Sequence, residues 1–333
     1  LVREFVEAVR DEGLRVGLYY SLLDWHHKDY PKYNDKFHPM RGNPAFKDEK
    51  IDFENYLRYM HGQVEELCSQ YGKIDIMWFD FSYDKMTSVT WRAADLIRMV
   101  RKYQPDILID NRLEGSGSDI GTMINEHPSE CAGNFASPEH FLPEQGLVNK
   151  AGKSIPWELC TTMNNNWGYV PSDTSWKSAP LILHKLVECV SKNGNMILNV
   201  GPDSYGRFPP ASLLILEQLA SWMRDNAESI HHCGASMLPR PDWGRYTRNG
   251  NIVYAHLFEE PIGPISLTGL SPEQISRVTL LRDGSEVRDA ATAIGVRNIC
   301  HTKFVTLGQD PNHTYPLPDS CDTVLRIELK ESI

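Results

Sequence analysis

The stretch that most restricts how this chain can fold is KIDIMWFDFSYD, residues 73–84, where an apolar run ends on Asp80. A run of that length reads as a buried strand, and it delivers a carboxylate to the strand's tip. Just ahead of it, Phe53, Tyr56, Leu57, Met60, Val64, Leu67, Cys68 and Tyr71 recur at helical spacing. The helix-then-strand order repeats along the chain. Leu1, Phe5, Val6 and Val9 precede LRVGLYYS; Trp91, Ala94, Ile97 and Val100 precede DILIDNR; Leu183, Leu186, Val187 and Val190 precede NMILNVGP. WELC reads as a further short strand, and another helix covers about 210–227. Such alternation, with strands short and apolar enough for burial on both faces, predicts a parallel sheet of the α/β class.

Polar residues gather where the strands end: Tyr19, Tyr20 and Asp24, then Asp80, then Asn111 and Arg112, then Glu158 and Asn199. A (β/α)8 TIM barrel builds its site from those ends, which accounts for a carboxylate carried on an apolar strand. The count of parallel strands is five, or six if TMINE is one, against the eight a closed barrel requires. Between the first strand and the helix ahead of Asp80, residues 22–44 are too polar and too rich in Pro to form a regular element and read as a long loop. Beyond His231 the pattern becomes short strands punctuated by turns, with Asp283-Gly284 as a hairpin signal. The expected organisation is a catalytic barrel over 1–234 and a small antiparallel β-sandwich over 235–333.

At 333 residues with a net charge of −10, the chain is large enough for both parts and is a poor match for nucleic acid or an anionic membrane surface. No apolar run is long enough to span a membrane and no signal-peptide pattern opens the chain, whose first residue is Leu1. The seven cysteines are scattered without CxxC spacing and read as free buried thiols. His26 and His27 are adjacent rather than one helical turn apart, so no metal site is expected, and no glycine pattern for holding phosphate is present.

Cleaving a glycosidic bond with retention needs two carboxyl groups about 5–5.5 Å apart, one a nucleophile and one a proton donor. Asp80, pinned on a strand between aromatic residues, suits the first role; its structural alternative is a strand-end cap, the reading that also fits Asp84. For the donor the residues alone leave Glu114, Glu126, Glu130, Glu139, Glu144 and Glu158 equally open. Arg112 suits a substrate-hydroxyl ligand, or the cation that keeps Asp80 charged. Trp78, Trp157, Trp167, Tyr19 and Tyr20 would offer flat faces for the C–H surface of a sugar, unless they are core.

Five motifs, GLYYSLLDWHHKDYP, IMWFD, IDNR, WELCTTMNNNWGYVPSD and SKNGNMILNVGPDSYGRFP, fall in the order and spacing of one family. Over residues 1–235 the chain resembles the α-L-fucosidases of glycoside hydrolase family 29. The resemblance implies a retaining hydrolase acting on a fucosylated glycan, with a barrel followed by a β-sandwich and no metal or other cofactor. It assigns Asp80 as nucleophile, two residues after Trp78. It places the acid/base in ASPEHFLPEQ as Glu139, or else in the WE pair as Glu158. Tyr20, Trp78, Arg112 and Trp167 then fall at sugar-contacting positions. The family's earlier strands, with their HHDGF histidines, have no counterpart here. The chain is therefore expected to be the carboxyl-terminal portion of a longer enzyme, its barrel completed by a missing amino-terminal segment or by a second copy in a homo-oligomer. The rival expectations are a non-catalytic carbohydrate-binding remnant and a retaining glycosidase for another sugar.

Overall fold

The structure is a computed structural model and describes residues 1–115, 119–290 and 301–331. Cys300, one of the cysteines expected to be free, lies outside them; the other six are free thiols, four of them buried. The chain divides into two compact units, one of Leu1–Phe141 with Leu147–Trp157 and the other of Leu142–Gly146 with Glu158–Ile333.

In the first unit the helical spacing around residues 53–71 becomes α2 (Phe53–Gln70), capped by Asp52, whose carboxylate accepts from Asn55 N. Its apolar stripe of Tyr56, Leu57, Met60, Val64 and Cys68 is buried. Helices α1 (Val2–Asp11) and α3 (Ala93–Tyr103) precede their strands in the same way. The strands β1 (Gly17–Ser21), β2 (Ile76–Asp80) and β3 (Leu108–Ile109) pair in parallel in that order. Single bridges from Asp110 to Phe135 and from Ala136 to Trp157 continue the parallel arrangement. The segment TMINE is not a strand: Gly121–Ile124 is a short 3-10 helix, and the stretch around Phe135 and Ala136 sits beside β3 instead.

Burial on β2 is one-sided, a correction to the expectation that these strands are covered on both faces. Met77 and Phe79 are fully buried in the cluster that holds Tyr56, Met60 and Val64 of α2. Ile76, Trp78 and Asp80 alternate with them and stay partly accessible, and on β1 Tyr19 is 55% exposed. The side chain of Gln104 fixes the entry to β2: its amide nitrogen donates to Cys68 O and Gly72 O at 2.7 Å each, and its oxygen accepts from Ile74 N. Burying that amide is tolerable because all these bonds are made.

The loop over 22–44 is ordered around one carboxylate. Asp35 is 3% exposed and accepts from Tyr83 Oη at 2.6 Å, Tyr30 Oη at 2.7 Å, Phe37 N at 2.8 Å and Trp25 Nε1 at 3.1 Å. Burial raises its pKa, but the donors, led by Tyr83 and Tyr30, outweigh that and hold it below the usual carboxylate range.

β4 (Trp157–Thr162), which lies in the second unit from Glu158 onward, and β5 (Gly194–Asn199) form a two-stranded sheet, with α4 (Ala179–Val190) between them in sequence and α5 (Pro210–Asn226) after β5. The strands β6 (Gly234–Ala235), β7 (Gly244–Asn249), β8 (Ile252–Leu257), β9 (Ile265–Leu267), β10 (Ile275–Leu280), β11 (Arg288–Asp289), β12 (Lys303–Thr306) and β13 (Thr323–Leu329) build two antiparallel sheets, β10-β13-β8-β7-β6 and β11-β12-β9. Val253, Ala255 and Leu257 of β8, Ile265 and Leu267 of β9, Val305 of β12 and Leu325 and Ile327 of β13 share one core, as two packed sheets require. On the other face of β8, Tyr254 joins a cluster with Leu183 and Val187 of α4 and Trp222 of α5. The hairpin expected at Asp283-Gly284 is present, with Gly284 in the left-handed region at φ +72° and Leu280 N bonded to Ser285 O.

Candidate active site

Asp80 ends β2 in register with Ser21, while Trp78 is in register with Tyr19. Neighbours in register on parallel strands point to the same face. Tyr19 therefore stacks on Trp78, with ring centroids 5.7 Å apart, and its hydroxyl donates to Asp80 Oδ2 at 2.9 Å. Burial, followed by the charge of Asp80, pushes the Tyr19 phenol far above its ordinary pKa, so it remains a donor throughout the accessible pH range. Tyr20, the position taken from sequence as the sugar contact, lies one residue on. Its hydroxyl donates to Gln63 Oε1 at 2.6 Å and its ring meets Phe79 edge-on.

Arg112 joins the two carboxylates. Its Nη1 donates to Asp80 Oδ1 at 2.9 Å and to Glu139 Oε2 at 2.9 Å, and its Nη2 donates to Ser137 O at 3.0 Å. Because one nitrogen reaches both oxygens, Asp80 Oδ1 and Glu139 Oε2 can be separated by no more than twice that distance, 5.8 Å. The guanidinium lies over the Trp78 ring at 4.3 Å from its centroid, and its side chain is 3% exposed. A planar, permanently charged group held on three sides sets where each carboxylate sits. Asn111 extends the arrangement: its Oδ1 accepts from Ser137 N, which fixes the segment leading to Glu139.

Both carboxylates are followed by a residue in the left-handed region. Phe81 has φ +78° and His140 has φ +59°. For side chains of this bulk the conformation costs roughly 1–3 kcal/mol each. After Asp80 the turn ends the strand and brings Phe81 N to within 2.9 Å of Asp80 Oδ1. Asp80 thus accepts from a backbone amide, a guanidinium and a phenol, while Glu139 remains about one third exposed. Two oxygen bases fixed around one cation, facing an open aromatic surface, can attack an electrophilic carbon with one group and exchange a proton with the other.

Glu158 and Trp167 belong to the second unit. Glu158 is the second residue of β4 and half-buried. Trp167 is 42% exposed, and its carbonyl accepts from Asn199 Nδ2 at 2.7 Å. Beside β4's end, Lys177 Nζ donates to Thr162 O and Asn164 O at 2.7 Å each, with its pKa lowered by burial. Asp84 lies out on the loop in a long ion pair with Lys36 at 3.8 Å. Among the described residues no three His, Cys, Asp or Glu side chains gather as metal ligands, and no helix is long and apolar enough to cross a membrane.

What sequence reasoning missed is Tyr19 as the partner of Asp80. The period of two makes Trp78 and Asp80 share a face, but the choice between Tyr19 and Tyr20 depends on the register between strands, which no local pattern encodes.

Comparison with known proteins bears on this arrangement. The family model described as alpha-L-fucosidase matches residues 1–228. The chain superimposes with a TM-score of 0.93 on the alpha-L-fucosidase isoenzyme 1 from Paenibacillus thiaminolyticus, at 48% identity, covering 99% of this chain and 75% of that one. It is 28% identical over 297 residues to a tissue alpha-L-fucosidase of Bos taurus, covering 84% of this chain and 55% of the relative. With an alpha-L-fucosidase of Dictyostelium discoideum it shares 25% identity over 272 residues, covering 78% and 52% respectively. The chain spans about half the length of the curated relatives it matches.

Proposed function

The chain belongs to the alpha-L-fucosidase family, and on that premise we propose that it is a glycoside hydrolase that removes terminal α-L-fucosyl units from glycans with retention. The observation that carries this reading is the shared Arg112 nitrogen, which keeps Asp80 Oδ1 and Glu139 Oε2 within 5.8 Å. Retaining enzymes hold their carboxyl groups about 5–5.5 Å apart, whereas inverting enzymes leave about 6.5–9.5 Å for a water between them.

In this mechanism an Asp80 oxygen attacks the anomeric carbon, forming a C–O bond as the glycosidic C–O bond breaks. Glu139 gives its proton to the departing oxygen. Glu139 then takes a proton from water, whose oxygen attacks the same carbon and releases Asp80 and free fucose. Arg112 and the Tyr19 phenol fix the direction of the attacking carboxylate, and Phe81 N adds a third bond to it. Trp78 provides a flat wall for the sugar; Tyr20, Glu158 and Trp167 are the other residues assigned to substrate binding. Glu139 is taken as the acid/base because it shares the Arg112 nitrogen with Asp80, and Glu158 is the alternative. The reading also takes residues 1–234 as the catalytic (β/α)8-type barrel domain and 235–333 as the sandwich domain, in keeping with the parallel order β1-β2-β3.

An aryl α-L-fucoside should release α-L-fucose as the first product seen by proton NMR, before mutarotation mixes the anomers. Initial formation of the β-anomer would remove the double-displacement mechanism, and absence of turnover by the full chain would remove the activity. Tyr19→Phe deletes one hydrogen bond to a charged acceptor, worth about 1.5–3 kcal/mol. Because that bond aims Asp80 at the anomeric carbon, its loss is felt in the transition state more than in the free enzyme, and kcat/KM falls roughly 10- to 100-fold. Tyr20→Phe, which removes the bond to Gln63 instead, should change kcat/KM much less, and the reverse order would mean that the Tyr19 bond is incidental.

A further inference from the structure

The second unit contains a cavity of about 220 Å³ at the first turn of α5; Asp80, Glu139, Arg112, Glu158 and Trp167 do not line it, although its Gly168 and Asn199 adjoin Trp167. Its lining combines the rings of Tyr169 and Trp176 with polar groups from Asn164, Asp173, Asn199 and Ser212. We propose that this cavity is a second carbohydrate site, binding one neutral pyranose ring of a glycan.

Ser212 supplies the observation that points to a ligand. It is 1% exposed and lines the cavity, yet its Oγ has no hydrogen-bond partner among the described residues. A buried hydroxyl without a partner is costly, and the cost is removed when a bound group supplies the missing bond. The helix that carries it, α5, is long, and its N-cap residue, Pro209, offers no side-chain hydrogen bond to the first turn. Asn199 has its amide nitrogen committed to Trp167 O, so its carbonyl oxygen is the part that can serve a ligand.

Charge selects the class of ligand. Among the described residues the lining holds one carboxylate, Asp173, and no Lys, Arg or His. Asp173 accepts from Ser175 N at 3.0 Å, Asn166 Nδ2 at 2.6 Å and Asn165 N at 2.9 Å, and these bonds, that from Ser175 first, hold its pKa below the ordinary value. The charge of Lys177 lowers it a little further, but that ammonium lies outside the lining and is committed to Thr162 O and Asn164 O. An ionised carboxylate in a lining without a cation repels phosphate, sulfate or a sugar acid, but accepts neutral hydroxyls well. Two aromatic rings among hydroxyl-binding groups suit a ring that is apolar on one face and polar around its edge. The volume lies below the roughly 300–1,000 Å³ of sites for drug-sized molecules, which limits the occupant to a single ring. Choosing a glycan as the source of that ring rests on the hydrolase reading above; the composition of the cavity does not.

The test uses the full chain and free monosaccharides that contain no scissile fucoside: D-galactose, D-glucose and N-acetyl-D-glucosamine. Saturation-transfer NMR should show at least one of them binding with Kd on the order of 1–10 mM, the range for a single ring with few contacts. Tyr169→Ala and Ser212→Val should each weaken it about fivefold or more, while kcat/KM for an aryl α-L-fucoside stays unchanged. Failure of all three sugars to bind, or binding that both variants leave intact, overturns the proposal. Sugar binding that both variants weaken, in a chain that does not hydrolyse the aryl fucoside, supports the cavity and overturns only the hydrolase reading.

Discussion

Replacing Asp80 with Ala should lower kcat/KM for an aryl α-L-fucoside by on the order of 10⁴-fold or more, the scale seen when a covalent nucleophile is removed. The prediction follows from a carboxylate held by three donors at the end of a strand whose other face is fully buried. Stability should change far less than activity. Breaking a buried pair is expensive when it strands a charge, about 3–5 kcal/mol. Here Arg112 keeps Glu139 and Ser137 O as partners after Asp80 is gone. Thermal unfolding of the variant serves as the control. Added azide, small enough to occupy the vacated space, should restore turnover of an activated fucoside by attacking the anomeric carbon itself and give the fucosyl azide of inverted configuration. Near-normal activity in the variant would remove Asp80 from the chemistry.

Glu139→Gln should show a loss that depends on the leaving group. General acid catalysis contributes about 10²–10⁴-fold when the departing oxygen is strongly basic. A natural glycan substrate, whose leaving group is a sugar hydroxyl, should lose activity on that scale. An aryl fucoside with an acidic phenol needs little protonation to depart and should retain rapid formation of the intermediate, with its hydrolysis becoming the slow step. Pre-steady-state release of the phenol as a burst is the measurement. Glu158→Gln is the comparison: if that variant gives the burst and the leaving-group dependence while Glu139→Gln gives neither, the acid/base is Glu158. The amide oxygen introduced by Glu139→Gln can still accept from Arg112, so the geometry around Asp80 should persist, and the variant isolates proton transfer from positioning.

The sequence disclosed a good deal of this arrangement. The helix over 53–70 and the strand ending at Asp80 were legible because the apolar period was unbroken and the helix was capped by Asp52. Of the later strands, β7 is the hardest to read from sequence. Its sequence, GRYTRN, mixes two arginines with buried Tyr246 and Thr247, so its alternation does not read as apolar, although Gly250-Asn251, the two-residue turn into β8, is a standard hairpin signal. The site was less legible than the fold. That Asp80 ends a strand is a local fact, but the pairing of Asp80 with Tyr19 depends on register. The meeting of Asp80 and Glu139 at one arginine nitrogen depends on how the loop over 134–140 returns to β3, where Asn134 N bonds Ile109 O and Asp110 bridges to Phe135. No periodicity encodes such a return; the family motifs supplied it. The one-sided burial of β1 and β2 was also unreadable, since Ile76 and Trp78 are as apolar as the residues between them.

That split along β2 has an evolutionary corollary. Met77 and Phe79 anchor the strand to its helical backing, whereas Ile76, Trp78 and Asp80 share no part of that anchorage. Substitutions in the accessible row can therefore be sampled without first unfolding the scaffold, while those in the hidden row are filtered by foldability. Specificity and thermal endurance should thus drift independently among related chains, each recorded in alternate letters of the same five-residue word.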